Sequence, residues 1–152
     1  MKEGTYDEVG GWVGDALQVR PGAELALRAY VHNGAADLPE TVARETRMTI
    51  DLPTCAGKSI AITSRISAAN TTPSAVWDSV VLKSPTPFRM EMVLGSARLL
   101  TVPNPADGLL LPDRIGTSGG ALIGSHKADG NFGGNYNNTA IVTMRVRILP
   151  AT

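Results

Sequence analysis

The stretch VRPGAELALRAYVHNGA, residues 19–35, indicates the fold class of this chain. Its middle alternates between two faces: Leu25, Leu27, Ala29 and Val31 share one, and Glu24, Arg28, Tyr30 and His32 share the other. A Pro-Gly pair precedes this run. Asn33-Gly34 follows it and fits a type I′ turn, because both residues tolerate positive φ. The stretch therefore predicts a half-buried β-strand bounded by two tight turns, after which the chain reverses.

The same alternation recurs along the chain. It is found in ETRMTIDLP (45–53), KSIAITSRISA (58–68), SAVWDSVVL (74–82), PFRMEMV (87–93) and TAIVTMRVRIL (139–149). In the third of these runs, Trp77 is predicted to be a core aromatic ring. A bend or bulge is expected at Gly95. Residues 102–134 are irregular and predict long loops around one or two short strands.

The spacing of turn residues predicts the architecture. The chain has 16 Gly and 10 Pro spread over 152 residues, and they interrupt any helix of ordinary length. About seven to nine strands at roughly 8–12-residue spacing are typical of an antiparallel sandwich. We therefore predict an all-β chain with one sandwich domain over residues 19–152. Residues 1–18 are expected to be an N-terminal extension or an added strand.

Composition limits the partners and the location. Fourteen basic residues cancel fourteen acidic ones, so no net charge favours nucleic acid or an anionic membrane surface. Nothing approaches the ~20-residue apolar run of a membrane span. The single cysteine, Cys55, cannot form an internal disulfide. The polar start MKEGTYDEVGG lacks the apolar core of a signal peptide. Either the protein stays inside the cell, or the chain is a trimmed or processed piece.

Four stretches together carry a resemblance to a known family. They are VRPGAELALRAYVHNGA, VARETRMTIDLPT, FRMEMVLGSARLL, and GGALIG followed by IVTMRVRI. In this order they resemble an immunoglobulin-like β-sandwich repeat of unknown function, frequent in actinobacterial and other Gram-positive secreted proteins. The resemblance covers most of the chain from about Val19 onward. It implies an immunoglobulin-like sandwich located outside the cell or on its surface, with no established chemistry.

Three aromatic residues are candidates for ligand contact. Trp12 is flanked by glycines and has little local core to enter, so it either caps an open end of the sandwich or contacts a partner. Phe132 and Tyr136 lie in the irregular region and are the aromatic rings available there to stack on a sugar. A glycan site in the loops of residues 104–138 is therefore one hypothesis.

A calcium site is a second candidate. Asp129, Asn131 and Asn135 lie in the oxygen-rich segment ADGNFGGNYNN, and oxygen ligands suit Ca²⁺. Only one of the three is a carboxylate. A series of turns in which Asn and Gly adopt left-handed conformations is therefore the favoured alternative, and no other cofactor is expected.

No catalytic residue is predicted. Residues 116–120, GTSGG, match the G-x-S-x-G pattern of a nucleophile elbow. That pattern requires a strand-to-helix turn, and the residues that follow Ser118 read as a short strand. A flexible Gly/Ser loop is the better interpretation, so the chain is expected not to be an enzyme.

Two functions of different classes remain. The first is a non-enzymatic extracellular structural or adhesion module, such as a spacer, a surface-layer subunit or a fibre subunit, that acts through protein contacts. Self-association through edge strands is available to it, because the opening strand and the last strand, at residues 139–149, are both long and regular. The polar residues 1–18 could also serve as an added strand for a neighbouring copy. The alternative is a carbohydrate- or ligand-binding β-sandwich that uses the 104–138 loops.

Overall fold

The computed structural model describes residues 1–3 and 14–151, and these form an all-β structure. Its strands are β1 (Lys2–Glu3), β2 (Ala16–Gln18), β3 (Glu24–Val31), β4 (Arg47–Asp51), β5 (Gly57–Ser67), β6 (Ala75–Met92), β7 (Arg98–Thr101), β8 (Leu109–Leu110), β9 (Ala121–Leu122) and β10 (Ala140–Pro150). Single 3₁₀ turns occur at Pro39–Thr41, Asp113–Gly116 and Tyr136–Asn138. The prediction of an all-β antiparallel chain is confirmed, and so are the two short strands within residues 102–134.

The strands form one curled sheet with the order β1-β3-β10-β6-β5-β4-β9. Strand β7 pairs with β10 and with β8, while β2 runs parallel to β6. All other strand pairs are antiparallel. We call β1, β3, β7, β8 and β10 the first half of the sheet, and β2, β4, β5, β9 and residues 75–83 of β6 the second half. One hydrophobic cluster joins side chains from both halves.

The long strand β6 connects the two halves. Residues 75–83 of this strand pair with β5, and residues 88–92 pair with β10. Leu82, in the part that pairs with β5, and Phe88, in the part that pairs with β10, are both completely buried, so both parts contribute to the core. A register shift in β5 between Gly57 and Ser59 accommodates the change of partner, as β-bulges do.

Strand β10 lies in the middle of the sheet. It pairs with β3 on one side, and with β7 and β6 on the other. Val146 and Ile148 have no exposed surface, and Met144 is 1% exposed. The prediction that residues 139–149 form an edge available for assembly is therefore wrong. Its central position is set by strand pairing on both sides.

The turns that flank β3 agree with the sequence only in part. Gly22 adopts φ 94°, as expected for the Pro-Gly turn. Neither Asn33 nor Gly34 has a positive φ, so the predicted type I′ turn is wrong. The Asn33 side chain accepts a hydrogen bond from Ala35 N (3.1 Å) and donates to the carbonyls of Thr41 (3.0 Å) and Phe132 (3.1 Å). Asn33 thus joins distant loops, and β3 pairs with β10 rather than with the next strand along the chain.

Trp77 is 70% exposed, so the prediction of a core ring is wrong. The register of β6 explains this, since Leu82 pairs with Ile60 and Val80 pairs with Ile62. Alternation along the strand then places even-numbered residues on the core side and Trp77 on the outer side, opposite Arg65.

Candidate functional site

An apolar groove opens between the two halves of the sheet. From the first half it is lined by Leu27, Ala29 and Val142, and from the second by Ile50, Ile62, Ile66, Val76 and Val80; Met1 also lines it. Its volume is about 340 Å³, which falls in the range of small-ligand sites. Most of its floor belongs to the core, since Ile50, Ile62 and Val142 are at most 4% exposed, whereas Val76 is 51% exposed. We refer to it as the interlayer groove.

The rim of the interlayer groove carries the polar groups. They are Arg28 and Tyr30 of β3, Ser64 of β5, and Asp78 of β6 beside Trp77. Ser64 and Asp78 are directly opposite each other in the β5–β6 pair. One Asp78 carboxylate oxygen accepts a hydrogen bond from Ser79 N at 2.9 Å. These side chains combine one cation, one carboxylate and two hydroxyls around an apolar floor.

Met1 occupies one end of the interlayer groove. Its side chain is 6% exposed, and the two residues that follow pair with Ala26 and Leu25 of β3. Burial, together with the nearby positive charge of Arg28, lowers the pKa of the Met1 amino group below its ordinary value of 8.0. This end of the groove therefore already holds an extended segment against β3.

An aromatic row lies beside the groove. The His32 ring stacks on the Tyr136 ring, with centroids 4.5 Å apart and planes inclined by 26°. On its other side His32 approaches Tyr30 at 6.3 Å and 46°. Tyr30 is 56% exposed and Tyr136 is 72% exposed. We call Tyr30, His32 and Tyr136 the aromatic row.

Local structure holds the aromatic row in place. Tyr30 and His32 are two residues apart at the end of β3, so both rings project from its outer side. Tyr136 begins a 3₁₀ turn, where Asn135 Oδ1 accepts a hydrogen bond from Tyr136 N at 2.6 Å. Asn135 N in turn donates to the carbonyl of Asn33 at 3.1 Å, which fixes this turn against the end of β3.

Of the three aromatic residues predicted to contact a ligand, Tyr136 is exposed and Phe132 is buried. Trp12 lies outside the described residues. Phe132 is 1% exposed and is fixed by backbone hydrogen bonds in both directions with Ala43, so the expectation that its ring is available at the surface is wrong. Tyr136 is exposed and belongs to the aromatic row.

The side-chain oxygens of the predicted calcium ligands accept hydrogen bonds from other protein groups. Asp129 Oδ1 accepts a hydrogen bond from Asn131 N at 3.0 Å, within one turn. Arg44 Nη1 lies 3.5 Å from Asn131 Oδ1, where its positive charge disfavours a cation. Asn135 lies at the start of a different turn, Tyr136–Asn138, and its backbone N–H donates to the carbonyl of Asn33. Within residues 1–3 and 14–151, no three His, Cys, Asp or Glu side chains are grouped so that they could hold a metal ion.

The sequence contained a signal for the aromatic row that the prediction did not use. Tyr30 and His32 share the polar face of the opening alternation, and a large ring on a solvent-facing side is notable because it has no core to enter. No comparable pattern indicates that Trp77 is exposed. Apolar residues lie on both faces of this strand, with Val81 on the face of Trp77 and Leu82 on the other, so alternation does not show which face is buried.

Comparison with known proteins adds no relative: no family model, no curated protein and no solved structure matches the chain. The class that the structure defines is an all-β protein built on a curled, mainly antiparallel sheet. No helix in the described part of the chain is long and apolar enough to span a membrane.

Proposed function

We propose that this protein is a non-enzymatic structural or adhesion module that acts outside the cell through contacts with further copies of itself. One observation carries the proposal, namely the grouping of exposed Trp77, Val76 and Tyr30 around an apolar groove, with Tyr136 continuing the surface. Exposed aromatic rings beside an apolar depression are typical of protein interfaces, where Trp and Tyr supply much of the binding energy. The extracellular location follows from the family resemblance.

The charge of the chain suits this kind of contact. Its formal net charge is zero, so two copies do not repel each other through their net fields. The exposed fractions of Trp77 and Val76, 70% and 51%, leave apolar area that association would remove from water. Contacts between copies would thus be driven mainly by apolar burial.

The test is light scattering on the purified chain over a concentration series. We expect the mean mass to rise with concentration. The double variant Trp77→Ser with Tyr136→Ser is expected to raise the dissociation constant at least about tenfold, since interface aromatics of this kind contribute more than 1 kcal/mol each.

A matched control uses exposed apolar residues elsewhere. Leu94 and Leu110 are 76% and 60% exposed, and neither lines the interlayer groove. The double variant Leu94→Ser with Leu110→Ser should associate as the unmodified chain does. A chain that stays monomeric at every concentration would overturn the proposed function, and so would equal losses in the two double variants.

Glycan binding is a second candidate, favoured by the aromatic row. Tyr136 lies in the 104–138 region, and its stacked partner His32 holds the ring at the surface. Such rings can stack on the apolar faces of sugars. Calorimetric titration with soluble cell-wall oligosaccharides tests this, and any binding heat should be lost in Tyr136→Ala. No heat with the unmodified chain would eliminate this candidate.

A further inference from the structure

We propose that the outer face of the first half of the sheet binds a tetrahedral oxyanion, a phosphate or sulfate group, at Thr143 of β10 beside Arg98 of β7. The group would come either as the free ion or carried on a larger molecule such as a sugar. The residues that hold it lie in the adjacent strands β3, β10 and β7. This inference goes beyond the proposed function, because it does not depend on contacts between copies.

Strand pairing brings Thr143 and two arginines into one row. Thr143 pairs with Arg28 of β3 on one side and with Arg98 of β7 on the other. Directly opposite residues share a face of a sheet, so the three side chains project from the same side. That side is the outer one, because the neighbours of Thr143 in β10, Val142 and Met144, belong to the core. Two strand spacings then separate the Cα atoms of the two arginines by roughly 10 Å.

The Thr143 hydroxyl is a buried polar group without a partner. The residue is 1% exposed, and its Oγ1 atom makes no hydrogen bond with any residue that the structure describes. A buried hydroxyl in this state destabilises the fold, because it has given up its hydrogen bonds to water. An oxygen atom of an anion in this row would accept the missing hydrogen bond.

Arg98 supplies positive charge next to this hydroxyl. Its side chain is half-buried, and it takes part in none of the ion pairs between described residues. Those ion pairs join Arg145 and Arg147 to Glu24 and Glu91. A guanidinium group offers several N–H donors in one plane, which match the oxygens of phosphate and sulfate. Arg98 and Thr143 thus present donors of the kind that such an anion requires.

The whole outer face around this row is positively charged, although the formal net charge of the chain is zero. The charged residues of β3, β7, β10 and residues 88–92 of β6 are Arg28, Arg89, Arg98, Arg145, Arg147, Glu24 and Glu91. All of them alternate with core residues, so all lie on the outer face. The glutamates neutralise only part of the arginine charge, so this face attracts anions.

Thr101 shows that an unpartnered hydroxyl alone does not define such a site. Its Oγ1 atom is also buried without a hydrogen bond in the described part of the chain. Thr101 pairs with Ala140, which belongs to the core, so its side chain lies on the core face and not in the row of arginines. Thr101 therefore provides a matched control for Thr143.

Nuclear magnetic resonance tests binding at these residues directly. Inorganic phosphate, inorganic sulfate and glucose 6-phosphate are each titrated into the unmodified chain, with chloride keeping the ionic strength constant. We expect saturable shifts of the Thr143 amide signal and of the Arg98 Nε–H signal. Tighter binding of glucose 6-phosphate than of inorganic phosphate would identify a carried group, and the reverse order would identify the free ion.

Two substitutions test the donors. Thr143→Val and Arg98→Gln should each weaken phosphate binding at least about tenfold, because each removes a hydrogen bond to a charged oxygen. Urea unfolding checks that Thr143→Val folds. Without phosphate this variant should be at least as stable as the unmodified chain, because it removes an unpaired buried hydroxyl. Added phosphate should stabilise the unmodified chain but not the variant.

Two further variants are the matched controls. Thr101→Val removes a buried hydroxyl from the core face. Arg89→Gln removes the same charge as Arg98→Gln from the outer face, at a position that pairs with Leu149 and not with a threonine. Both controls should bind phosphate within about twofold of the unmodified chain, because distant surface charges are screened.

The outcomes are distinct. Weaker binding in Thr143→Val and Arg98→Gln, with binding retained in both controls, supports the site. The proposal is wrong if none of the three anions gives a saturable shift at Thr143 and Arg98. It is also wrong if Arg89→Gln weakens binding as much as Arg98→Gln, because the general charge of the face would then hold the anion. Neither result changes the test of association between copies.

Discussion

Gly134 shows how a single residue sets the end of β3. It forms a β-bridge with Asn33, and a Cβ atom built at this position would meet the carbonyl oxygens of Ala36 and Ala35. The contact with Ala35 O would be 2.5 Å, which is too short for carbon and oxygen. Only glycine permits this approach of two backbones, and the approach places the Tyr136 turn against His32.

Gly134→Ala should therefore destabilise the protein by about 1–3 kcal/mol, because the backbone must move to admit the methyl group. Gly34→Ala is the control, since a methyl group added there would have no atom within 4 Å and the φ of Gly34 is not positive. The control should change stability by less than about 0.5 kcal/mol. Urea unfolding measures both, and equal midpoints would contradict this account of Gly134.

At the scale of the element, β6 shows how register overrides composition. The strand contains both Trp77, which is 70% exposed, and Leu82, which is completely buried. A tryptophan in a predicted strand indicates a core residue on average, since large rings gain most from burial. Here the pairing of Leu82 with Ile60 decides which face points inward, and Trp77 is on the other face.

Two substitutions in β6 should separate these roles. Trp77→Ser is expected to change the free energy of unfolding by less than about 0.5 kcal/mol, as for other exposed positions. Leu82→Ala should lower it by about 2–5 kcal/mol, because it leaves a cavity between the halves of the sheet. Denaturant unfolding of dilute protein, below the concentration of association, provides the measurement. A larger loss in Trp77→Ser would mean that its ring is buried.

At the scale of the whole molecule, the two halves of the sheet share one core. The hydrophobic cluster includes residues of both halves. Strand β10 pairs with β3, β6 and β7, which lie far from one another in the sequence. Neither half has a separate cluster in the described part of the chain. The described strands therefore pack around one shared core.

We accordingly expect a single cooperative unfolding transition. Far-ultraviolet circular dichroism reports the sheet and near-ultraviolet circular dichroism reports the packing of the aromatic rings. The two should give the same midpoint within error, because neither half retains a core without the other. A near-ultraviolet transition at clearly lower denaturant would show that one half unfolds first.

Local patterns made some features predictable from sequence. Alternation over residues 24–31 and 140–148 located β3 and β10, because a half-buried strand must repeat with a period of two. Gly22 was predictable because the Pro-Gly turn needs positive φ. The position of β10 in the sheet was not predictable, because alternation is the same in an edge strand and in a central strand covered on one face.

Single residues of the candidate site could be predicted from the sequence, but the contacts between them could not. The irregular region predicts an exposed Tyr136, whereas the contact of this ring with His32 joins residues far apart in the chain. Phe132 lies in the same irregular region, which predicts an exposed ring. Its burial depends on Ala43, to which it is bonded in both directions, and no local pattern reports such a contact.

By itself, the sequence determined that the chain is all-β and where most of its strands lie, because turn residues and period-two alternation act over a few neighbouring positions. The tertiary structure decided that β10 is central, that Trp77 faces solvent and Phe132 does not, and that Tyr30, His32 and Tyr136 form one row. Those outcomes depend on which strands pair and in what register, and pairing is fixed by contacts between residues distant in the chain.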